Sequence, residues 1–176
     1  RSSHLIPRAI LRRDIPNPDR STTRMPVPRI FRRCLPPLLL SLLTPTAFAA
    51  EVRFCSTLGA IDIDIDEQNA PQHAANFLRY ADSGFYAGTV FHRAVAGSMV
   101  QGGSYDTALQ RRAPGAPVGN ESRNGLSNQR GTIAASRAAD PDSATSQFFF
   151  NLTDNSHLDA EGNVPGYTVF GRVMSG

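Results

Sequence analysis

Alternation of apolar and polar side chains dominates the chain just after residue 50. Residues 52–56 alternate, Gly59 interrupts the pattern, and residues 61–66 then alternate strictly between isoleucine and aspartate. A period of two predicts strands with one buried and one solvent-facing side, here joined as a hairpin. The three aspartates lack the glycine and distal glutamate of a calcium loop, so we interpret them as solvent-facing and predict no metal site there.

The pattern changes to a helical period after residue 70. One amphipathic helix is predicted to begin at Pro71 and to end before Gly84, with apolar positions at Ala74, Phe77, Leu78 and Ala81. Asn69 is the predicted N-cap, since asparagine side chains accept hydrogen bonds from the first free amides of a helix. His73 is predicted to lie on the helix surface.

Beyond Gly88 the apolar segments are short and are separated by glycine- and proline-rich connections. The predicted strands cover residues 90–95, 99–101, 131–136, 147–152 and 167–173. Many short strands favour a closed antiparallel barrel or a sandwich. A chain of 176 residues with no internal repeat supports a single domain.

Charge is distributed unevenly along the chain. Residues 1–50 hold nine arginines against two acidic residues, a formal charge of +7, whereas residues 51–176 hold nine arginines against 13 acidic residues, a charge of −4. The overall pI of about 9.3 therefore reflects the first 50 residues, and no nucleic-acid partner is predicted for the rest. The alternative, a nucleic-acid or membrane-surface protein, requires salt-sensitive binding by residues 51–176.

Residues 25–50 have the pattern of a secretory signal peptide. Arginines at 29, 32 and 33 precede an apolar run from 35 to 43, and Ala47-Phe48-Ala49 resembles a cleavage site. Cleavage releases a protein that starts near Glu51, without a membrane anchor, in the periplasm or outside the cell. Residues 1–24 are rich in arginine and proline, and we interpret them as disordered or as an extension upstream of the natural start. Cys34 leaves with the signal peptide, so Cys55 has no disulfide partner.

Common catalytic motifs are absent from the sequence. It contains no G-x-S-x-G, phosphate-binding glycine loop, H-E-x-x-H or Cys/His metal spacing, so no metal or cofactor is predicted. Instead, Gln101 lies eight positions after Arg93, and because eight is even, alternation through Gly97 places both on one strand face with Met99. A fixed cation, a carboxamide and a thioether on one surface suit the binding of an apolar, uncharged amide.

Several sequence blocks, in order, resemble the cyclophilin family of peptidyl-prolyl cis-trans isomerases, and most closely its bacterial periplasmic type. The resemblance covers residues 51–176. Its blocks include Phe91-His92-Arg93, Met99-Val100-Gln101-Gly102-Gly103, Arg130-Gly131-Thr132-Ile133-Ala134, Ser146-Gln147-Phe148-Phe149 and Gly166-Tyr167-Thr168-Val169-Phe170-Gly171.

This resemblance implies a mainly β fold, a closed eight-stranded antiparallel barrel with capping helices and a substrate groove on its outer surface. It implies catalytic roles for Arg93, Gln101 and Phe149, and a proline-containing peptide or unfolded protein as partner. Periodicity alone does not separate Phe149 from its neighbours Phe148 and Phe150. The implied substrate-binding residues are His92, Ser98, Met99, Ser136, Arg137, His157, Leu158 and Tyr167.

The chain departs from the family pattern at several positions. Ser98 replaces a phenylalanine, Ala135 replaces a methionine, and His157 replaces the tryptophan associated with cyclosporin binding, so weak cyclosporin binding is expected. Family members continue beyond the position of Gly176 with a second helix and a closing strand, which this barrel is expected to lack. The leading hypothesis is an exported prolyl isomerase, and the alternative is a non-catalytic proline-peptide binding module or chaperone.

Overall fold

A computed structural model describes residues 10–12 and 50–176. The predicted signal peptide and residues 1–24 lie outside the described residues, apart from Ala50 and a short strand at Ile10–Arg12. No helix in the described part is long and apolar enough to cross a membrane. The elements are β1 (Ile10–Arg12), β2 (Ala50–Ser56), β3 (Gly59–Ile65), α1 (Pro71–Asp82), β4 (Thr89–Val90), β5 (Arg93–Val95), β6 (Met99–Gly102), β7 (Tyr105–Asp106), β8 (Thr132–Ala135), β9 (Phe148–Asn151), a short 3-10 helix (Ser156–Leu158) and β10 (Val169–Ser175).

Eight of the strands form one antiparallel sheet in the order β1-β2-β3-β10-β8-β9-β6-β5, while β4 and β7 form a separate pair. The predicted mainly β fold with one long helix is therefore confirmed. Closure into a barrel is not seen among the described strands, because the pairing ends at β1 on one side and at β5 on the other. The pairing of β1 with β2 was not predicted, since residues 10–12 show no strand periodicity.

The β2–β3 hairpin forms as the alternation predicts. Val52 pairs with Ile63 and Phe54 with Ile61, and the side chains of Val52, Phe54 and Ile63 are buried. On the opposite face, Arg53 Nε donates to Asp62 Oδ1 at 2.6 Å. One face of this hairpin thus enters the core while the other remains polar.

Helix α1 buries the side chains of Ala74, Phe77 and Leu78, as its spacing predicts. The core that it covers also contains Phe148 and Phe150 of β9, but Phe149 belongs to a separate apolar cluster with Ala134 and Val169. Successive strand residues point to opposite faces of a sheet. The three consecutive phenylalanines are therefore divided between the inner core and a second buried cluster on the opposite face of the sheet.

The N-terminus of α1 is capped differently from the prediction. Asn69 does not cap it, and its Nδ2 instead donates to Asp66. The carboxylate of Glu121 accepts hydrogen bonds from the backbone amides of Gln72 and His73, both at 3.0 Å. The prediction of a surface position for His73 is wrong, because its ring is buried and its Nδ1 lies 2.7 Å from Glu121. The cap comes from a distant loop, which local spacing cannot reveal.

Candidate active site

A row of paired residues crosses four neighbouring strands on the outer face of the sheet. Arg93 on β5 lies opposite Gln101 on β6, and Gln101 in turn lies opposite Phe149 on β9. Ala134 on β8 pairs with Phe149 and continues the row. Directly paired residues in an antiparallel sheet project their side chains to the same face. A cation, a carboxamide and an aromatic ring are thereby brought together.

The hairpin between β5 and β6 explains why Arg93 and Gln101 share this face. The chain reverses at residues 96–98, where Gly97 has a φ of 68° and the Ser98 amide donates to the Val95 carbonyl at 3.0 Å. A left-handed φ favours glycine at this turn. The predicted shared face is correct, but it arises from cross-strand pairing and not from alternation along one continuous strand.

The side chain of Gln101 is held by neighbours on both sides. Its Oε1 accepts a hydrogen bond from Arg93 Nη1 at 3.2 Å. Its Nε2 donates to Ser136 Oγ at 2.9 Å and to Gln147 Oε1 at 2.8 Å. With each of its polar atoms engaged, the carboxamide fixes the guanidinium at the edge of the groove.

Arg93 is exposed and its polar partners within the groove are neutral. Besides Gln101, its Nη1 contacts the sulfur of Met99 at 3.6 Å. Among residues 50–176 no carboxylate forms an ion pair with it. The charge therefore remains available to a ligand.

Phe149 forms the apolar floor of the groove. Its ring meets that of Tyr167 edge-on, with centroids 5.6 Å apart and planes at 80°. Met99 and Leu158 pack against the same cluster. The groove has a volume of about 460 Å³. On one side lies the strand row, which is the row of paired residues Arg93, Gln101 and Phe149. On the other side lie the short 3-10 helix and Tyr167.

Ten of the eleven predicted site residues line this groove, together with Val95. Val95 follows Arg93 by two residues, and alternation predicts it on the same strand face, although it was not among the predicted site residues. The ten residues are Arg93, Ser98, Met99, Gln101, Ser136, Arg137, Phe149, His157, Leu158 and Tyr167.

His92 does not line the groove. Its ring packs against Tyr105, with centroids 4.5 Å apart, on the side of β5 opposite to Arg93. Burial lowers the pKa of the imidazole and the charge of Arg93 lowers it further, against a smaller raising effect from a backbone hydrogen bond at Val90. The geometry gives no support to the prediction that His92 contacts the substrate, and it favours a neutral ring beside the cation.

A chain of buried amides behind the groove was missed by sequence reasoning. Asn155 Nδ2 donates to the Ser98 carbonyl at 3.1 Å and to Asn151 Oδ1 at 2.8 Å. Asn151 Nδ2 reaches Asn128 Oδ1, and Asn128 Nδ2 reaches Asp159 Oδ1 at 2.8 Å. This network ties the β5–β6 turn to the segment that carries Leu158. Asparagines dispersed through a sequence give no pattern that predicts such a network.

Fold and site together define a groove on the outer face of the sheet, with an apolar floor at Phe149 and a guanidinium held at its edge by Gln101. The family model of cyclophilin type peptidyl-prolyl cis-trans isomerase/CLD matches residues 51–176. The chain belongs to this family.

Bacterial relatives have the same family name. A peptidyl-prolyl cis-trans isomerase A of Dickeya dadantii is 45% identical over 152 residues, which span 84% of this chain and 80% of the relative. A peptidyl-prolyl cis-trans isomerase of Acinetobacter baylyi is 46% identical over 125 residues, or 71% of this chain and 66% of the relative.

Solved structures show the same fold at lower sequence identity. A cyclophilin type isomerase of Cryptosporidium parvum, crystallised in the presence of the dipeptide Ala-Pro, matches with a TM-score of 0.60 and 24% identity over 72% of this chain and 79% of that one. A cyclophilin of Hirschia baltica matches with a TM-score of 0.62 and 22% identity over 72% of this chain and 64% of that one.

Proposed function

We propose that this protein accelerates cis-trans rotation about X-Pro peptide bonds, with Arg93 stabilising the twisted amide. The observation that supports this most directly is the strand row, which holds Arg93, Gln101 and Phe149 side by side on one face. Family membership supplies the reaction class, and the geometry supports the proposed roles of the residues.

The chemistry follows from the electronic structure of the amide. Delocalisation of the nitrogen lone pair creates a rotational barrier of about 18–20 kcal/mol. Twisting the bond localises that lone pair, so the prolyl nitrogen becomes a better hydrogen-bond acceptor. A guanidinium beside it binds the twisted state more strongly than the planar one, and only such differential binding accelerates a reaction.

The remaining groove residues position the substrate. Phe149 and Met99 receive the pyrrolidine ring by apolar contact. Gln101 orients Arg93, and the second lone pair of its Oε1 is left to accept a hydrogen bond from the peptide backbone. The proposed mechanism transfers no proton and forms no covalent intermediate.

We further propose that the clients are exported or unfolded proteins and that the protein works in the periplasm or outside the cell. The support is the signal-peptide pattern of residues 25–50 and the bacterial origin of the relatives. Cell fractionation followed by N-terminal sequencing tests this proposal, and a cytoplasmic product that retains residues 25–50 contradicts it.

A protease-coupled isomerisation assay tests the activity. The full chain is expected to accelerate the cis-to-trans conversion of an Ala-Pro peptide, and Arg93→Ala is expected to remove about 100-fold or more of kcat/KM, as the loss of a transition-state donor does. Arg172→Ala is the matched control, because Arg172 is an exposed arginine on β10 outside the groove.

Binding without acceleration is the outcome that supports the alternative, a non-catalytic proline-peptide module. One observation favours this alternative. Ser98 is a polar residue in the lining of the groove, and its Oγ lies 3.4 Å from Asn155 Oδ1. A peptide that binds with the same affinity to wild type and Arg93→Ala, with no rate gain in either, overturns the proposed activity.

A further inference from the structure

The groove contains two guanidinium groups and no carboxylate. Arg93 and Arg137 both line it, and none of its other lining residues is acidic. Asp159 follows Leu158 directly, but its carboxylate is occupied by Ser127 and Asn128. Besides the two arginines, His157 is the groove residue with a basic side chain. The lining thus has an excess of positive charge that the mildly acidic composition of residues 51–176 does not suggest.

Arg137 is held in place by neutral acceptors. Its Nη2 donates to the Pro165 carbonyl at 2.8 Å and its Nε to the Gly166 carbonyl at 3.3 Å. Its Nη1 donates to the carbonyls of Ala138 and Ala139 at 3.0 and 3.4 Å. Carbonyl oxygens fix the direction of the guanidinium but leave its charge uncompensated.

The aromatic floor also positions this arginine. The guanidinium carbon lies 4.8 Å from the centroid of the Tyr167 ring, and Tyr167 itself meets Phe149 edge-on. A guanidinium has five N–H groups, and the four bonds described leave one on Nη2 without a partner in the described residues. A half-buried cation with a remaining donor thus lies beside the proposed proline pocket.

We propose that Arg137 makes the groove selective for substrates that carry an acidic side chain one or two residues before the proline. This inference rests on the proposed isomerase function and specifies its substrate class. Arg93 is committed to the amide by Gln101, whereas Arg137 is fixed on the Ser136 and Tyr167 side of the pocket, where it faces residues that flank the proline. An acidic side chain there gains an ion pair, and a lysine is repelled.

Peptide series test the selectivity on the full chain. The substrates are acetyl-Ala-Xaa-Pro-Phe-4-nitroanilide and acetyl-Xaa-Ala-Pro-Phe-4-nitroanilide, in which Xaa is Ala, Glu or Lys. The acetyl group avoids the negative charge of a succinyl cap, and all rates are measured at pH 8. Each kcat/KM is divided by that of the Ala peptide of the same series.

In at least one series the Glu peptide is expected to exceed the Lys peptide by about three-fold, the upper range of a solvent-accessible ion pair. Arg137→Gln is expected to bring this ratio to about one while the Ala peptide is still turned over, and Arg137→Lys is expected to retain the preference. The matched control Arg172→Gln removes the same charge outside the groove and leaves the ratio unchanged. Salt at 1 M, where the Debye length is about 3 Å, is expected to abolish the preference.

Two results overturn the proposal: equal rates for Glu and Lys peptides in wild type, or a preference that survives in Arg137→Gln. Failure of the proposed function is distinguishable, because then the Ala peptides are not accelerated either. In that case, calorimetric titration with the Glu and Lys peptides compares their binding affinities and tests the charge selectivity without an activity. Thermal unfolding of each variant verifies that the folded protein is being compared.

Discussion

Phe148 and Phe149 are neighbours in sequence, are equally buried at 1% exposure, and lie on opposite faces of β9. Replacing each by alanine therefore separates the stability of the core from the chemistry of the groove. We expect Phe148→Ala to act mainly on folding and Phe149→Ala mainly on catalysis.

The surroundings of Phe148 determine how much free energy of unfolding is lost when it is replaced by alanine. Five aromatic rings surround it at centroid distances of 5.4 to 6.3 Å, so its removal leaves a closed cavity that the neighbours cannot fill. Phenylalanine-to-alanine changes in such cores cost about 3–5 kcal/mol, and the dense surroundings place this one near 4–5 kcal/mol. Its effect on kcat/KM of the folded fraction is expected to be small.

For Phe149→Ala we expect the opposite, a smaller loss of stability and a larger loss of activity. One ring, Tyr167, contacts it at 5.6 Å, and the space left by truncation opens to the groove, so the expected stability loss is only the transfer term of about 2–3 kcal/mol. Loss of apolar contact with the three methylenes of a proline ring, at about 0.8 kcal/mol each, lowers kcat/KM by about 30-fold or more.

Urea unfolding and isomerase assays on the two variants measure both quantities, with rates normalised to the folded fraction. Phe149→Leu is the conservative control, expected to retain most of the stability and part of the activity. The proposed division of roles between Phe148 and Phe149 is refuted if Phe149→Ala keeps full activity, or if Phe149→Ala destabilises the protein more than Phe148→Ala does.

Three further predictions concern the charges around the groove and the helix. Gln101→Glu is expected to lower kcat/KM at least ten-fold, because a carboxylate at this position forms an ion pair with Arg93; an unchanged rate contradicts the proposed role of the cation. The rate is expected to be flat between pH 7 and 9, since burial first and Arg93 second lower the pKa of His92; an inflection that disappears in His92→Gln contradicts this. Burial raises the pKa of Glu121, but hydrogen bonds from His73 and from two backbone amides have the larger combined effect and lower this pKa overall. The stabilisation of the folded state by the Glu121 carboxylate is therefore present above about pH 4.5 and is lost as the pH falls below that value. Glu121→Gln is expected to cost about 1–2 kcal/mol at pH 7 and less at pH 3, as measured by urea unfolding, and an equal cost at both pH values contradicts the assignment.

Weak cyclosporin binding remains an expectation from the sequence, since His157 stands where binding members of the family carry tryptophan. Titration of the full chain tests it, and a nanomolar affinity rejects it.

Local periodicity was sufficient for the elements whose partners are close in sequence. The β2–β3 hairpin and the apolar face of α1 follow from spacings of two and of three to four residues. The cap supplied by Glu121 could not be predicted in this way, because it lies 49 residues from the amide of Gln72 that it binds. Tertiary contacts of this kind leave no local pattern.

The groove was predicted by a different route. Periodicity treats Phe148, Phe149 and Phe150 as equivalent, and only the family resemblance singled out Phe149, which the sheet register places beside Gln101. The same resemblance assigned His92 to the groove, but strand alternation turns its ring toward Tyr105. The anchoring of Arg137 by Pro165 and Gly166 depends on a loop conformation, which sequence spacing does not define.

The proposed mechanism requires Arg93 to bind the rotating amide more tightly than the planar one. NMR exchange spectroscopy on one proline peptide measures its dissociation constant and its catalysed exchange rate in the same titration, for wild type and Arg93→Gln. In Arg93→Gln we expect the exchange rate to fall by about 100-fold or more and the dissociation constant to change by less than about three-fold. A parallel loss of affinity and rate, or a rate that survives the substitution, contradicts it.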